Sequence, residues 1–168
     1  MDKREILESC HAENVRFMRL TFSDIDGIIK NVEVPASQFE KALDGQILFD
    51  GSSIQGFTRI EESDMLLQPD PETFAIYPWE STGGKVARLV CDVHNPDGTP
   101  FVGCPRLALK RVLGKLEQRG WSMQVGPEPE FFLFHRDAQG NPDHRAHDAG
   151  GYFDLTPVDD GEEARRQM

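Results

Sequence analysis

The spacing of apolar and polar residues changes along this chain, and glycines and prolines mark where it does. Lys3 to Ala12 sets Ile6 and Leu7 among charges and predicts a short amphipathic helix. Val15 to Phe22 is rich in strand formers and puts Met18, Leu20 and Phe22 on one face. Asp26-Gly27 then permits the positive φ of a tight turn, and Ile28, Val32 and Val34 continue with period two. The pattern predicts a β-hairpin. After Pro35, Ser37-Gln38-Phe39-Glu40 predicts a helix whose first turn is capped by Ser37, with Glu40 reaching back to the cap amide, and Gly45 ends it.

From Gln46 to Glu80, Gly51, Gly56, Pro69, Pro71 and Pro78 interrupt any regular period, so this stretch reads as a long loop, which in a compact protein points to function. Lys85 to Val93 returns to strand, Asn95-Pro96-Asp97-Gly98 turns the chain, and a domain boundary is expected between Phe101 and Pro105. Pro105 suits the first position of a helix carrying Leu109, Val112, Leu113 and Leu116 on one stripe, with Gly120 as its stop. That helix is expected to pack on a second sheet with strands Ser122 to Val125 and Glu130 to Phe134. Beyond His135 the large apolar side chains are Tyr152, Phe153, Leu155, Val158 and Met168, too few for a core. Asp160-Gly161-Glu162-Glu163 reads as the acidic start of a helix, and the sequence reads as stopping in mid-domain.

Composition narrows the function classes. The 168 residues are 38% hydrophobic, ordinary for a folded protein, and a chain of this length buries roughly 70% of its unfolded surface. A net charge of −11 disfavours general attraction to nucleic acid or an anionic membrane and makes small cations the natural partners. No apolar run is long enough to span a bilayer and the N-terminus lacks a secretory apolar region, which leads to an expectation of a cytoplasmic protein. Cys10, Cys91 and Cys104 are odd in number and lack C-x-x-C spacing, so reduced structural thiols are expected.

The most chemical stretch is Gly126-Pro127-Glu128-Pro129-Glu130-Phe131-Phe132-Leu133-Phe134. If extended, it puts Glu128 and Glu130 on one face about 6.5 Å apart. Like charges at that distance repel by roughly 2 kcal/mol at an effective dielectric of about 20. Beside an apolar run, either a carboxyl gains a proton or a cation sits there, and hard oxygen donors suit Mg²⁺ or Mn²⁺. Two ions would suit phosphoryl chemistry. Spacing alone is equally compatible with two glutamates pointing to solvent from an edge strand. In Phe49-Asp50-Gly51-Ser52-Ser53-Ile54-Gln55-Gly56-Phe57, Asp50 and the two hydroxyls can collect a cation or orient an amine, or can satisfy their own backbone turn. Arg59, a third candidate, stands beside Ile60-Glu61-Glu62-Ser63-Asp64, and most arginines so placed pair with a neighbouring acid. His135, His144 and His147, interleaved with Asp137, Asp143 and Asp148, read as a weak metal site or a solvated loop.

Taken together, the Asp50 block resembles the N-terminal signature of type I glutamine synthetase (glutamate–ammonia ligase). The Glu128/Glu130 block resembles the first metal-ligand strand of that family, and Gly150-Gly151-Tyr152-Phe153-Asp154 a third family block. Phe57-Thr58-Arg59-Ile60-Glu61-Glu62-Ser63-Asp64-Met65 is similar to the subgroup under glutamine feedback. The resemblance implies an α+β protein: a β-grasp domain over residues 1–102 and the beginning of the catalytic α/β domain over 103–168. It implies that Glu128 binds the nucleotide-side metal ion and Glu130 the glutamate-side one, Mg²⁺ or Mn²⁺. Asp50, with Ser53 nearby, would be offered across a subunit interface to bind and deprotonate ammonium. Tyr152 would line that pocket, and Arg59 would carry feedback.

The implied reaction phosphorylates the γ-carboxylate of L-glutamate with ATP, and ammonia then displaces phosphate from γ-glutamyl phosphate, inside a dodecamer. Neither nucleic acid nor membrane is an implied partner. The chain is far shorter than the family pattern. The remaining metal glutamates, the metal histidine, the nucleotide segment and the arginines that hold glutamate and phosphate fall beyond Met168, so no synthetase activity is expected of the 168 residues alone. Two alternatives remain at this stage: a γ-glutamyl-amine ligase of the same family, and a non-catalytic module that inserts its Asp50 loop into a partner.

Overall fold

The structure, a computed structural model, describes residues 1–57, 63–79 and 83–167. The chain divides into two compact units, Met1–Met123 and Gln124–Met168.

In the first unit, helix α1 (Lys3–Ala12) lies where the pattern puts it, and Ile6 and Cys10 are its buried face. Its start is set by a capping box of Asp2 and Glu5 that the sequence reading overlooked: the Asp2 carboxylate accepts from the Glu5 amide at 2.8 Å, and the Asp2 amide donates to Glu5 at 2.7 Å. Strand β1 (Val15–Ser23) and β2 (Ile29–Pro35) form the expected antiparallel hairpin, in the register Leu20 opposite Val32. Met18, Leu20 and Phe22 are all buried, whereas Ile28 stays in the turn and is exposed.

The expected capped helix after Pro35 takes a different form. A 3₁₀ turn, Ala36–Gln38, leads into the short helix α2 (Phe39–Leu43), and no side chain caps either. Burial of Phe39 and Ala42 against the sheet replaces the cap as the reason this turn is helical, and Gly45 closes it at a φ of +67°.

The stretch read as loop is largely strand. Strand β3 (Ile47–Asp50) pairs antiparallel with β4 (Asp64–Ile76), which pairs with β5 (Lys85–His94). The prolines misled because their penalty applies only where a ladder donor is needed. Pairing with β3 ends at Leu67, before Pro69, and Pro71 falls in the register shift between Asp70 and Ala75. The finished sheet has the order β2-β1-β5-β4-β3, with β1 and β5 parallel at its centre. One face carries Met18, Leu20, Met65, Leu67, Ala87, Leu89, Cys91 and Val93, all buried beneath α1 and α2. A fully buried Leu or Met contributes roughly 1.5–3 kcal/mol, so this face is the main source of the unit's stability. All three cysteines are free and buried, and burial pushes the Cys91 thiol up to about 12.

The other face carries charge. Helix α3 (Pro105–Glu117) begins with proline as expected, and on its apolar stripe Leu109 and Val112 are exposed. The helix is attached to the first unit by its opening turns. Arg106 donates to Asp92 at 2.9 Å and to Asp70 at 2.6 Å, Lys110 donates to Asp92 at 2.6 Å, and Leu107 packs on the core. Among the described residues of the second unit the strands are β6 (Phe134–Arg136) and β7 (Pro142–Ala146), an antiparallel pair, followed by helix α4 (Glu162–Gln167).

Arg106 is the hub of that attachment, and Arg106→Ala removes the cation shared by Asp70 and Asp92 and leaves Lys110 to serve both. The cost is about 1–3 kcal/mol, below that of a fully buried pair because some of each side chain stays in water. Urea denaturation of the first unit's sheet reads it, and an unchanged midpoint refutes it. The Arg106 hydrogen bond holds the Asp70 carboxyl below its ordinary range, against burial and with help from the Glu72 amide. The folded state therefore takes up that proton less readily than the unfolded chain. This increment of stability is complete above the ordinary aspartate value of about 3.9 and is lost as pH falls through the lowered native one. The Arg106→Ala difference shrinks in acid accordingly.

Candidate active site

Asp50 is the last residue of β3, paired with Asp64 of β4, so the sheet fixes where its backbone leaves the fold. Its side chain then caps the 3₁₀ turn Gly51–Ser53. Oδ1 accepts from the Ser52 amide at 2.9 Å and from the Ser52 hydroxyl at 2.6 Å, while Oδ2 accepts, among the described residues, from the Ser53 hydroxyl at the longer distance of 3.4 Å. One oxygen is thus committed to the turn and the other is held less closely, on an exposed loop. The Ser52 hydroxyl, then its amide, hold the Asp50 carboxyl below the usual aspartate range; desolvation opposes them and the Ser53 hydroxyl assists.

Aromatic packing supports this loop from below. Phe22 of β1 lies 4.8 Å from Phe49 and 6.1 Å from Phe57, ring centre to ring centre, and Phe57 lies 5.4 Å from Phe101. The Gly51 amide donates to the Ser63 carbonyl at 2.7 Å, closing the loop at its base. Arg59 lies outside the described residues.

In the second unit the expected strands Ser122 to Val125 and Glu130 to Phe134 do not form. Trp121 to Leu133 carries no regular structure, and only Phe134 of that reach is in a strand. A strand exists through its neighbour, and none pairs with this segment among the described residues, where Pro127 and Pro129 also lack ladder donors. Glu128 and Glu130 are both exposed. The free oxygen donors suit a hard cation whose other positions are filled by water, the usual habit of Mg²⁺. Among the described residues no group of three or more His, Cys, Asp or Glu is placed to hold a metal ion.

Glu130 lines a cavity of about 500 Å³ together with His147, Asp148, Asp159 and Arg165. From sequence, His147 and Asp148 read as part of a weak metal site or a solvated loop. His147 is tied down by its ring, whose Nε2 lies 3.2 Å from the Asp160 carbonyl, and its amide donates to the Leu133 carbonyl at 3.1 Å. His135 stacks 5.5 Å from it. No spacing rule marks such a cavity, because hydrogen bonds between distant loops create it. Tyr152 does not line it: the ring is 91% exposed and packs on Phe153. Asp50 and Ser53 belong to the first unit, and Glu128, Glu130 and Tyr152 to the second.

Comparison with known proteins gives this geometry a setting. Residues 14–96 match the family model "Glutamine synthetase, beta-Grasp domain" and residues 102–168 match "Glutamine synthetase, catalytic domain". A glutamine synthetase of Thermus thermophilus is 60% identical over 99% of this chain and 38% of its own length. One from Staphylococcus aureus is 58% identical over 99% of the chain and 37% of its own length. The chain therefore spans a little over a third of these relatives. Among solved structures, GmaS bound to ADP superposes with a TM-score of 0.61 at 28% identity, over 68% of this chain and 26% of that one. The Plasmodium falciparum glutamine synthetase gives a TM-score of 0.64 at 21% identity, over 71% of this chain and 23% of that one. This last likeness is one of fold.

The Asp50 geometry carries its own test. Ser52→Ala removes the largest of the contacts that favour the carboxylate, so the Asp50 titration moves up toward the ordinary aspartate value. Carboxyl ¹³C shifts followed against pH read it, and an unmoved midpoint rules out the hydroxyl as the cause.

Proposed function

Because this chain belongs to the glutamine synthetase family, we propose that its 168 residues supply the ammonium-side loop and the first two metal-binding carboxylates of an ATP-dependent glutamate–ammonia ligase. The observation that carries the reading is the 58–60% identity to proteins named glutamine synthetase over 99% of the chain, which takes in both matched domains. The geometry adds that Asp50, on an exposed loop, has one carboxylate oxygen held at 2.6 Å by Ser52 and the other contacted by Ser53 only at 3.4 Å among the described residues.

The chemistry follows from what these side chains can do. A carboxylate with a lowered pKa is a better counter-ion than base, so Asp50 first holds ammonium by charge through Oδ2. It takes the proton only where water is excluded and the charged pair is penalised. Ser52 and Ser53 keep that carboxylate from rotating, and Tyr152 walls the pocket in the assembled enzyme. Glu128 and Glu130 would each hold a divalent ion, Mg²⁺ or Mn²⁺. When bound, these ions neutralise the charge that develops as the γ-phosphoryl group of ATP is transferred to glutamate. In the same reading Arg59 would contact a neighbouring subunit's site when glutamine is bound, as in the feedback-inhibited subgroup, and the full-length protein would be a cytoplasmic dodecamer. The division into residues 1–102 and 103–168 belongs to the same reading, supported by the change-over of the family models between 96 and 102.

Retention of the Asp50 and Ser53 pocket favours ammonium over a bulkier amine, whose acceptor site needs that charge altered. A non-catalytic module is the reading to adopt if the chain forms a defined complex with a complete synthetase on gel filtration.

The 168 residues alone are expected to release no phosphate from ATP above background with glutamate and ammonium. Grafted in place of the corresponding segment of the Thermus thermophilus relative, they are expected to restore glutamine formation. In that graft Asp50→Ala lowers kcat/KM for ammonium by about 100-fold or more, and Glu130→Gln raises the Mg²⁺ requirement. An inactive graft, or an Asp50→Ala graft with unchanged ammonium kinetics, overturns the reading.

A further inference from the structure

Asp24 is 3% exposed, an unusual position for a carboxylate without a ligand to hold. Among the described residues, its hydrogen-bond and ion-pair partners lie in the next six residues. Its side chain accepts from the Ile28 amide at 2.8 Å and the Asp26 amide at 3.0 Å, and pairs with Lys30 at 3.3 Å. Its backbone closes the same turn, since the Asp24 amide donates to the Ile28 carbonyl at 3.0 Å and its carbonyl accepts from Gly27 at 3.1 Å, with Gly27 at a φ of +80°. Five interactions on one residue are far more than a hairpin turn requires, and they fix the direction of the side chain between them, Ile25.

Ile25 is half in water, but its inner edge is engaged. A Cβ added to Gly56 would sit 2.4 Å from Ile25 Cδ1, so the isoleucine lies directly on bare glycine backbone. Gly56 has a φ of +78° and closes the segment that begins at Asp50: the Ile54 amide donates to Gly51 at 3.0 Å and the Phe57 amide to Ile54 at 3.1 Å. Phe22 already braces the two flanks of this loop through Phe49 and Phe57. Ile25, three residues further along the same hairpin, meets it at Gly56.

We propose that Asp24 and Ile25 are positioning residues for the Asp50 loop: the anchored turn of the first hairpin presses Ile25 onto Gly56 and so fixes the orientation in which Asp50 is presented. The role explains why a large apolar side chain stands on an exposed turn and why Gly56 bears no side chain. It rests on the reading that the Asp50 loop is functional, but its physical content, a brace between two loops, is testable without any ligand.

The experiment is amide hydrogen exchange on the 168-residue chain. Ile25→Ala is expected to speed exchange at Ile54 and Phe57 by roughly tenfold, the scale of a local opening, while amides at the centre of β5 keep their wild-type rates. Ile25→Leu, which can still reach Gly56, is expected to restore protection. In the Ile25→Ala variant the Asp50 carboxyl also titrates closer to an ordinary aspartate, because the Ser52 contacts are made for less of the time. Asp24→Asn keeps the two amide bonds but loses the Lys30 pair, and is expected to fall between wild type and Ile25→Ala. Unchanged exchange at Ile54 and Phe57 in Ile25→Ala, or equal acceleration there and in β5, overturns the proposal. None of these readouts involves ammonium, so they separate failure of the brace from failure of the catalytic assignment, which the graft kinetics test.

Discussion

The first unit depends on the parallel pairing of β1 with β5. Three further strands, two 3₁₀ turns and the short helix α2 lie between these strands in sequence, yet Met18 sits beside Ala87, Leu20 beside Leu89 and Thr21 beside Val90. A parallel pair cannot be closed by a tight turn, so the intervening chain must go out and return. Here that excursion contains α2, β3 and β4, and hence the Asp50 loop. The register at the centre of the sheet thereby determines where β3 ends. The buried Thr21 hydroxyl, donating to the Leu89 carbonyl at 3.0 Å, adds a polar tie between the same two strands. A slip of one residue would move Met18, Leu20 and Phe22 to the charged face, which is why burial specifies the register so strongly.

The two faces of this sheet serve different ends. The apolar face provides stability under α1 and α2. The opposite face gathers Asp70, Asp92, Arg106 and Lys110, pairs whose geometry fixes where α3 starts even though the helix buries no residue fully. In a chain with a net charge of −11, placing two cations over two adjacent carboxylates also relieves repulsion locally. The acidic groups of the candidate site are handled differently: Asp50 is held closely on one oxygen and at 3.4 Å on the other, and Glu128 and Glu130 are exposed. Carboxylates that serve the fold are buried and paired, as Asp24 and Asp92 are, and those available for cations are left in water.

The second unit shows what an unpartnered segment does with the same vocabulary. Phe131, Phe132, Phe134, Tyr152, Phe153 and Leu155 are exposed, and the run through Glu128 and Glu130 has the composition of a strand without forming one. Strand propensity expresses fit to a pleated, half-buried surface and yields little where no neighbouring strand is present. Local polar bonds hold this unit instead, among them the Asp148 carboxylate accepting from the Asp160 amide at 2.7 Å and the Gly151 amide donating to Asp154 at 2.9 Å.

Local pattern determined α1, the β1–β2 hairpin, β5, the proline start of α3 and the family to which the chain belongs, because each is written in residues that touch their near neighbours in sequence. It also marked Asp50, Glu128 and Glu130, since conspicuous carboxylates in glycine- or proline-bracketed runs need no coordinates to be noticed. Pairing decided the rest. Pro69 and Pro71 are harmless in β4 only because the ladder has ended or shifted beside them, and the segment from Ser122 to Leu133 stays irregular because, among the described residues, no strand pairs with it. The grip of Arg106 on Asp70 and Asp92, the cavity around Glu130 and His147, and the contact of Ile25 with Gly56 join residues far apart in the chain. Their energies depend on distances that only the folded backbone sets.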